Sequence, residues 1–302
     1  MTKRAKKGRL PGFRMTPRDK EVVKAVYTHR ALTTPQIEIL LFPPDNGQVH
    51  GTKTSRVRHR LKLLFHHGYL FRDEQPTKLS AGKKPLVYLL DRKAISLLAS
   101  EYGVFEEDID WSPRNNKLAQ RFLNHLLSMN DVRIAIEVGA GKQGIQLLHW
   151  LDEKTLKSRE MKDSVEIAGS EGQIAKATIV PDGYFALTDG VYDYHNLLEI
   201  DMGTETGISD KFNRRTFARK IRGYLAYYDS GKYAKKYGAT AMTVLTVTTG
   251  QARMSNLKKI AERLDGDEMF WFTTFDQVSP ETVLTVPIWT VAGQKGFHPL
   301  VW

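Results

Sequence analysis

The sequence contains no cysteine. Disulfide bonds and zinc sites built on cysteine are therefore excluded, and the absence is consistent with a reducing cytoplasm. Long apolar runs are also missing, and none follows the basic start of the chain, so neither a membrane span nor a signal peptide is predicted. The run GAGKQG at 139–144 lacks the spacing of a phosphate-binding P-loop. We therefore expect a soluble cytoplasmic protein that is not a P-loop enzyme.

Positive charge is concentrated at one end of the chain. Residues 1–95 hold 21 Lys and Arg against 7 Asp and Glu, a net charge of +14, whereas residues 96–302 hold 24 against 27, a net charge of −3. A chain of 302 residues is long enough for two domains. A solvated surface explains some excess charge, but a whole basic domain more often has a polyanionic partner. The N-terminal part is therefore predicted to bind nucleic acid.

The N-terminal elements follow the order of a winged helix-turn-helix. A basic flexible arm over 1–14 precedes a domain over 15–100, whose first helix is predicted to begin at Thr16-Pro17 and whose second begins at Thr34-Pro35. A third, strongly basic helix follows, and two β-rich runs joined by a basic loop predict a hairpin. In such a domain the third helix enters the major groove and the hairpin contacts the backbone or the minor groove.

The residues expected to contact DNA share a positive charge and a place on the third helix or the hairpin. Those on the helix are Lys53, Arg56, Arg58, Arg60 and Lys62, and those on the hairpin are Lys83 and Lys84. Winged helices also serve as protein-binding modules, and none of these side chains indicates base specificity. Such domains often bind DNA as homodimers, although no heptad pattern here requires a dimer.

The C-terminal part is predicted to be a separate α/β domain. The segment 101–116 gathers acidic residues, a glycine and a proline, and is interpreted as a linker. From 117 to 302 the pattern predicts a long helix, then three strands, a basic helix, a strand, a helix and a final strand. This order favours an α/β layer design.

Acidic residues stand at two strand ends of this domain. Asp182 opens one strand after Pro181, and Glu199 lies near the end of the next strand. By residue type and strand placement the pair resembles the restriction-endonuclease-like (PD-(D/E)xK) pattern, which implies a site for Mg²⁺ or Mn²⁺ and water-mediated attack on a phosphodiester.

One position departs from that pattern. Asp201 stands where the pattern has lysine, so Asp182, Glu199 and Asp201 form a three-acid set without the strand lysine. Lys220 and Tyr224, four residues apart on the next predicted helix, share a face and offer a substitute cation. The alternative is that Lys220 belongs to a solvated or DNA-tracking face.

Several segments in order resemble the plasmid replication-relaxation family over roughly residues 15–275. They are NHLLSMNDVR at 124–133, PDGYFAL at 181–187, LLEIDMGTET at 197–206 and KIRGYLAYY at 220–228, together with the winged helix. The resemblance implies a role in replication, relaxation or transfer of plasmid DNA beside other plasmid proteins. It carries over Asp182, Glu199, Asp201, Lys220 and Tyr224, and it suggests that His125 points into the same cleft, although a lone helical histidine is more often structural.

Three functions remain open on the sequence. The protein is a metal-dependent nuclease that nicks or cleaves DNA, a non-catalytic accessory factor that keeps the nuclease fold as a scaffold, or a transcriptional regulator. The missing strand lysine favours the accessory factor, whereas the retained Asp182 and Glu199 favour the nuclease.

Overall fold

The computed structural model describes residues 10–42, 50–76, 82–158, 160–169, 172–209 and 216–302. The chain divides into two compact units, unit 1 (Met1–Ile134) and unit 2 (Ala135–Trp302). Helices and a mixed sheet are both present, so the predicted α/β fold class is confirmed. Most of the predicted arm and part of the predicted hairpin loop lie outside the described residues.

Unit 1 is built from helices and a small antiparallel sheet. Its elements are α1 (Pro17–His29), β1 (Leu32–Thr33), α2 (Thr34–Leu41), α3 (His50–His66), β2 (Leu70–Asp73), β3 (Val87–Leu90) and α4 (Arg92–Tyr102). The three strands pair in the order β1-β3-β2. The predicted succession of three helices and a hairpin is therefore present, with a short additional strand between the first two helices.

Local capping explains where the first two helices begin. The Thr16 side chain accepts a hydrogen bond from the backbone of Asp19, whose own side chain accepts one from the Thr16 backbone, and Pro17 occupies the first turn. Thr33 and Gln36 form the same reciprocal box at the start of α2. Such caps satisfy backbone N–H groups that the helix itself leaves unpaired. The predicted start at Thr16 is confirmed, and the second helix begins one residue earlier than its predicted signal.

The segment 101–116, predicted to be a linker, is held against unit 1. The Asn116 amide donates to the Leu90 carbonyl at 2.8 Å, and the Asp110 backbone N–H donates to the Tyr27 hydroxyl at 3.3 Å. The unit boundary instead falls inside the long helix α5 (Gln120–Gln143). The first part of α5 belongs to unit 1 because Asn130, which is fully buried, donates to the carbonyls of His29 and Ala31.

Unit 2 is organised around a six-stranded mixed sheet. Its further elements are β4 (Gln146–Asp152), α6 (Glu153–Leu156), β5 (Asp163–Ala168), β6 (Ile174–Ile179), β7 (Gly183–Thr188), β8 (Asp193–Asp201), α7 (Phe217–Asp229), α8 (Lys232–Tyr237), β9 (Thr243–Thr248), α9 (Gln251–Glu262), β10 (Phe270–Thr274) and β11 (Thr290–Val291). The sheet order is β11-β10-β9-β8-β7-β4, with β4, β7 and β8 antiparallel and β9 parallel to β8. In chain order β7 and β8 are the second and third strands of this sheet.

A separate hairpin, β5–β6, was not predicted from the sequence. It forms a two-stranded antiparallel sheet within the charged segment that interrupts the main sheet between β4 and β7. Its apolar residues Val165, Ile167 and Ile179 join the same buried cluster as α7. The tyrosines Tyr224, Tyr227 and Tyr233 are each no more than 2% exposed in this cluster, so they pack in the core and are not available to stack on DNA bases.

Among the described residues, no helix is both long enough and apolar enough to cross a membrane.

Candidate functional site

Asp182 and Glu199 lie side by side at one end of the β7–β8 pair. The antiparallel register of the pair ends where Gly183 meets Leu198, and Asp182 directly precedes β7. Two hydrogen bonds hold Asp182 against β8, one from the Asp182 N–H to the Leu198 carbonyl at 2.9 Å and one from the Ile200 N–H to Asp182 Oδ2 at 2.8 Å. Burial raises the pKa of Glu199, and Asp182 lies close enough to Glu199 for its charge to raise that pKa further.

Helix α7 supplies two further groups to Glu199. Lys220 Nζ donates to Glu199 Oε2 at 2.8 Å, and the Tyr224 hydroxyl donates to Glu199 Oε1. Lys220 and Tyr224 reach the same carboxylate because residues four apart lie on one helix face. Glu205, beyond the end of β8, places its carboxylate 3.6 Å from Lys220 Nζ. The structure thus brings together Asp182, Glu199, Lys220 and Tyr224, four of the five residues predicted for the catalytic site.

The electrostatics of this cluster are strongly perturbed. Burial and the neighbouring Asp182 raise the pKa of Glu199 to about 7, even though Lys220 and Tyr224 favour its ionised form. Burial opposes the charge of Lys220, but the nearby carboxylates, chiefly Glu199, raise its pKa. Burial also raises the pKa of Tyr224 well above its ordinary value. Clusters of side chains with strongly shifted pKa values are more frequent at functional sites than elsewhere.

Asp201, the fifth predicted residue, is engaged elsewhere. Arg253 of α9 donates from Nε to Asp201 Oδ2 at 2.9 Å and from Nη2 to Asp201 Oδ1 at 3.0 Å, and the Thr248 hydroxyl donates at 2.6 Å. Burial alone would raise the pKa of Asp201, but these donors hold it below the usual value. Both Asp201 oxygens therefore accept hydrogen bonds from a bidentate fork, and the role of Asp201 as a metal ligand stays a prediction.

The same arginine orders the turn after β8. Arg253 Nη2 also donates to the Glu205 carbonyl at 2.7 Å. The chain reverses at Gly203, whose φ of 70° is in the left-handed region that favours glycine. The Asp201–Arg253 pair thus helps to place the Glu205 carboxylate beside Lys220. Sequence reasoning missed Arg253 because its partner lies 52 residues earlier in the chain.

A two-carboxylate metal site fits these residues better than a three-carboxylate site. Within the described residues no group of three His, Cys, Asp or Glu side chains is arranged to hold a metal ion. Mg²⁺, however, is commonly held by one or two carboxylates, with water and phosphate oxygens as its other ligands. Glu199 is buried beside Asp182, and a bound cation would favour the ionised form of its carboxyl group. Asp182 and Glu199 are therefore the pair that fits a divalent metal.

On helix α3 the predicted DNA-binding residues separate into two groups. Arg56, Arg58 and Lys62 are exposed. Arg60 instead donates to the buried Asp19 carboxylate, with Nε at 3.0 Å from Oδ1, and Nη2 donates to the Arg14 carbonyl at 3.0 Å. Arg60 thus joins α3 to the start of α1, and its contact with DNA stays a prediction.

The remaining predicted residues have simpler positions. Lys83 and Lys84 are exposed on the segment that precedes β3. Lys53 lies within α3, and its side chain is outside the part of the chain that the structure describes. His125 is half-buried on α5 in unit 1, whereas the acids belong to unit 2. Its role at the cleft stays a prediction.

The segments that flank and form the acid cluster are matched by the model of a known protein family. The family model described as replication-relaxation matches residues 23–243, which include α3, Asp182, Glu199 and Lys220. The chain belongs to the replication-relaxation family. The predicted resemblance is thereby confirmed, and membership supports a DNA-related function. No curated protein matches the chain significantly.

Two solved structures show a distant similarity. The restriction endonuclease FokI matches with a TM-score of 0.31, and FokI bound to DNA matches with a TM-score of 0.26, each at 11% identity. Each match covers 86% of this chain and 43% of FokI, so the chain spans less than half of that enzyme's length. At these TM-scores the similarity decides nothing further about the replication-relaxation protein.

Proposed function

We propose that this replication-relaxation protein binds DNA through unit 1 and nicks or cleaves it at the Asp182–Glu199–Lys220 cluster of unit 2 with Mg²⁺ or Mn²⁺. The observation that carries the proposal is the position of Lys220. The strand lysine of the nuclease pattern is absent, yet a lysine from α7 lies 2.8 Å from the second acid. Family membership supports a place for this activity in replication, relaxation or transfer of a plasmid or another mobile element.

Each residue of the acid cluster would have its own role in the reaction. Asp182 and Glu199 would hold the divalent metal, which supplies an activated water and stabilises charge on the phosphodiester. Lys220, whose side chain is 36% exposed, can reach both Glu199 and solvent, so its cation lies where a phosphate would approach. Tyr224 fixes the orientation of Glu199 through its hydroxyl. Because Tyr224 is buried and its pKa is raised, its phenol serves as a hydrogen-bond donor and not as a nucleophile.

Supercoiled plasmid incubated with Mg²⁺ or Mn²⁺ tests the proposal. Wild-type protein should convert it to nicked or linear product, and Asp182→Asn and Glu199→Gln should not. Glu166→Gln is the matched control, since Glu166 is an exposed carboxylate of unit 2 on β5, outside the cluster. Metal titration by calorimetry should give heat with wild type and Glu166→Gln only. If wild-type protein neither nicked the plasmid nor released heat on metal titration, the proposed nuclease activity would be overturned.

A non-catalytic accessory factor is the second candidate, and one observation favours it. Both oxygens of Glu199 already accept hydrogen bonds from Lys220 and Tyr224, so the acid is satisfied without metal. In that case wild type and Glu199→Gln should bind duplex DNA equally, with no product and no metal heat from either.

A further inference from the structure

A cavity opens at the opposite end of β8 from the acid cluster. It has a volume of about 380 Å³ and lies between the start of β8, the start of β9 and the residues that follow α8. This volume is within the range of about 300–1,000 Å³ that is usual for small-molecule sites. Nothing in the proposed reaction uses this cavity.

Aromatic rings form one side of it. Trp271 and Trp302 both line the cavity, and the His298 ring lies between them with its centroid 6.2 Å from each in edge-to-face contacts. Trp302 is 77% exposed, and Tyr194 adds a third lining ring. An exposed indole is costly to hydrate, so a flat ligand that covers it would be favoured.

The polar lining contains several hydrogen-bonding groups. Asn196 is 2% exposed and lines the cavity together with His195 and Asp193. The Asn196 amide nitrogen donates to the Tyr194 carbonyl at 3.0 Å, which leaves its amide oxygen to accept from a ligand. On the opposite face of β8, the Tyr184 hydroxyl shares a hydrogen bond of 2.7 Å with His195 Nδ1. Burial lowers the pKa of His195, so the neutral ring is favoured. Among the residues that the structure describes, no lysine or arginine lines the cavity, and Asp193 would repel an anion.

These features disfavour a phosphate and fit a planar, uncharged ring with polar edges. We propose that the cavity holds one unpaired nucleobase of a DNA strand, stacked on Trp302 and Trp271, with Asn196 at its edge. Aromatic side chains stack on bases of any sequence, and amide groups can hydrogen-bond their edges. Phosphates would remain outside the cavity.

The position on β8 links this cavity to the acid cluster. His195 and Glu199 lie on the same strand four residues apart, which corresponds to about 13 Å at the usual rise per residue. A base held in the cavity would therefore fix a single strand a few nucleotides from the cluster. This inference rests on the proposed function in that DNA is the ligand, but it requires neither metal nor cleavage.

Binding is measured without metal, by fluorescence anisotropy of a labelled oligothymidylate and of a matched oligomer of abasic sites. The two probes carry the same phosphates, so only the first offers a base. Wild type should bind the oligothymidylate about fivefold to 100-fold more tightly than the abasic oligomer. Trp302→Ala should lose this preference and keep its fold, because Trp302 is largely exposed. Phe297→Ala, which removes another exposed ring outside the lining, should keep the preference.

Equal binding of both probes by wild type, or an unchanged preference in Trp302→Ala, would overturn the inference. Competition by tetramethylammonium, a probe for cation recognition by indole rings, would overturn it in favour of a cationic ligand. Plasmid nicking is scored separately, so loss of base preference with nicking retained removes the cavity alone. Loss of nicking with base preference retained removes only the metal chemistry.

Discussion

Helix α3 of unit 1 and strand β8 of unit 2 each carry like charges at close spacing, and each uses one of them for structure. On α3, Arg60 pairs with the buried Asp19, while Arg56, Arg58 and Lys62 remain exposed. On β8, Asp201 is held by Arg253, while Glu199 meets Lys220. The two regions differ in what is left. Among the described residues of α3, Arg56, Arg58 and Lys62 are similar exposed cations, whereas Glu199 of β8 has its own set of charged and polar neighbours.

Because of this difference, the two surfaces should respond differently to substitution. Exposed cations that contact phosphates act as separate point charges, so the loss of one weakens binding by a fraction. Glu199, Asp182 and Lys220 share hydrogen bonds and a local field, so groups of this kind act as a unit and their effects are not additive. Graded effects are expected on α3 and all-or-none effects on β8.

The largest effect is expected from Lys220→Met. Loss of this cation should lower plasmid nicking by roughly 10²- to 10⁴-fold, the range typical for removal of a group that assists proton transfer or charge stabilisation. The fold should persist, because Glu199 already has a pKa of about 7 and can become neutral when its partner is removed. Initial nicking rates, with a thermal melt of each protein, measure the two consequences.

Lys235→Met is the control for that change, since Lys235 is an exposed lysine on α8. It should nick at the wild-type rate. Equal rates for Lys220→Met and Lys235→Met would place Lys220 among the solvated cations and remove the main argument for catalysis.

The local part of the site was predictable from the sequence. Lys220 and Tyr224 were placed on one face by their spacing of four, and Asp182 was placed near Glu199 by the single hairpin between them. Both inferences use short-range geometry of helices and strands. The start of α1 at Thr16 was predictable for the same reason, since a capping box is complete within four residues.

The parts that the sequence did not predict depend on distant partners. Arg60 meets Asp19 across 41 residues, and Arg253 meets Asp201 across 52. No periodicity indicates which of several similar charges will be buried by a neighbouring element. The β5–β6 hairpin was missed although Val165 and Ile167 alternate with polar residues as in a half-buried strand, because the segment is short and rich in charged residues.

The second largest effect is expected from Arg253→Met, which tests the structural role of the ion pair between Arg253 and Asp201 at the end of β8. The Asp201 side chain is only 7% exposed, and this substitution removes the guanidinium that pairs with it. We therefore expect a loss of about 3 kcal/mol in the free energy of unfolding, measured by chemical denaturation. The double variant Asp201→Asn, Arg253→Met should regain part of that loss, since no buried charge remains. Stability as high as wild type in the single variant would mean that Asp201 is free to serve the cluster.

Arg60→Met is the corresponding change on α3, and a smaller loss of about 2 kcal/mol is expected because Arg60 is 28% exposed. Burial would raise the pKa of Asp19, but hydrogen bonds from Arg60 and Thr16 lower it below 3.8. A lowered acid pKa gives stability that is present above 3.8 and is lost as the pH falls. The stability difference between wild type and Arg60→Met should therefore shrink below that pH, whereas a constant difference would argue against the ion pair.

The smallest effects per residue are expected from the exposed cations of α3. Arg56→Ala, Arg58→Ala and Lys62→Ala should each change stability by less than about 0.5 kcal/mol, because each side chain is exposed. Removing one cation that neutralises a phosphate should reduce the slope of log K against log salt by about 0.9 for duplex DNA, as measured by anisotropy at several salt concentrations. The triple variant should add these reductions. If one of the three abolished binding alone, that cation would be reading a base or a unique geometry, and α3 would resemble β8 after all.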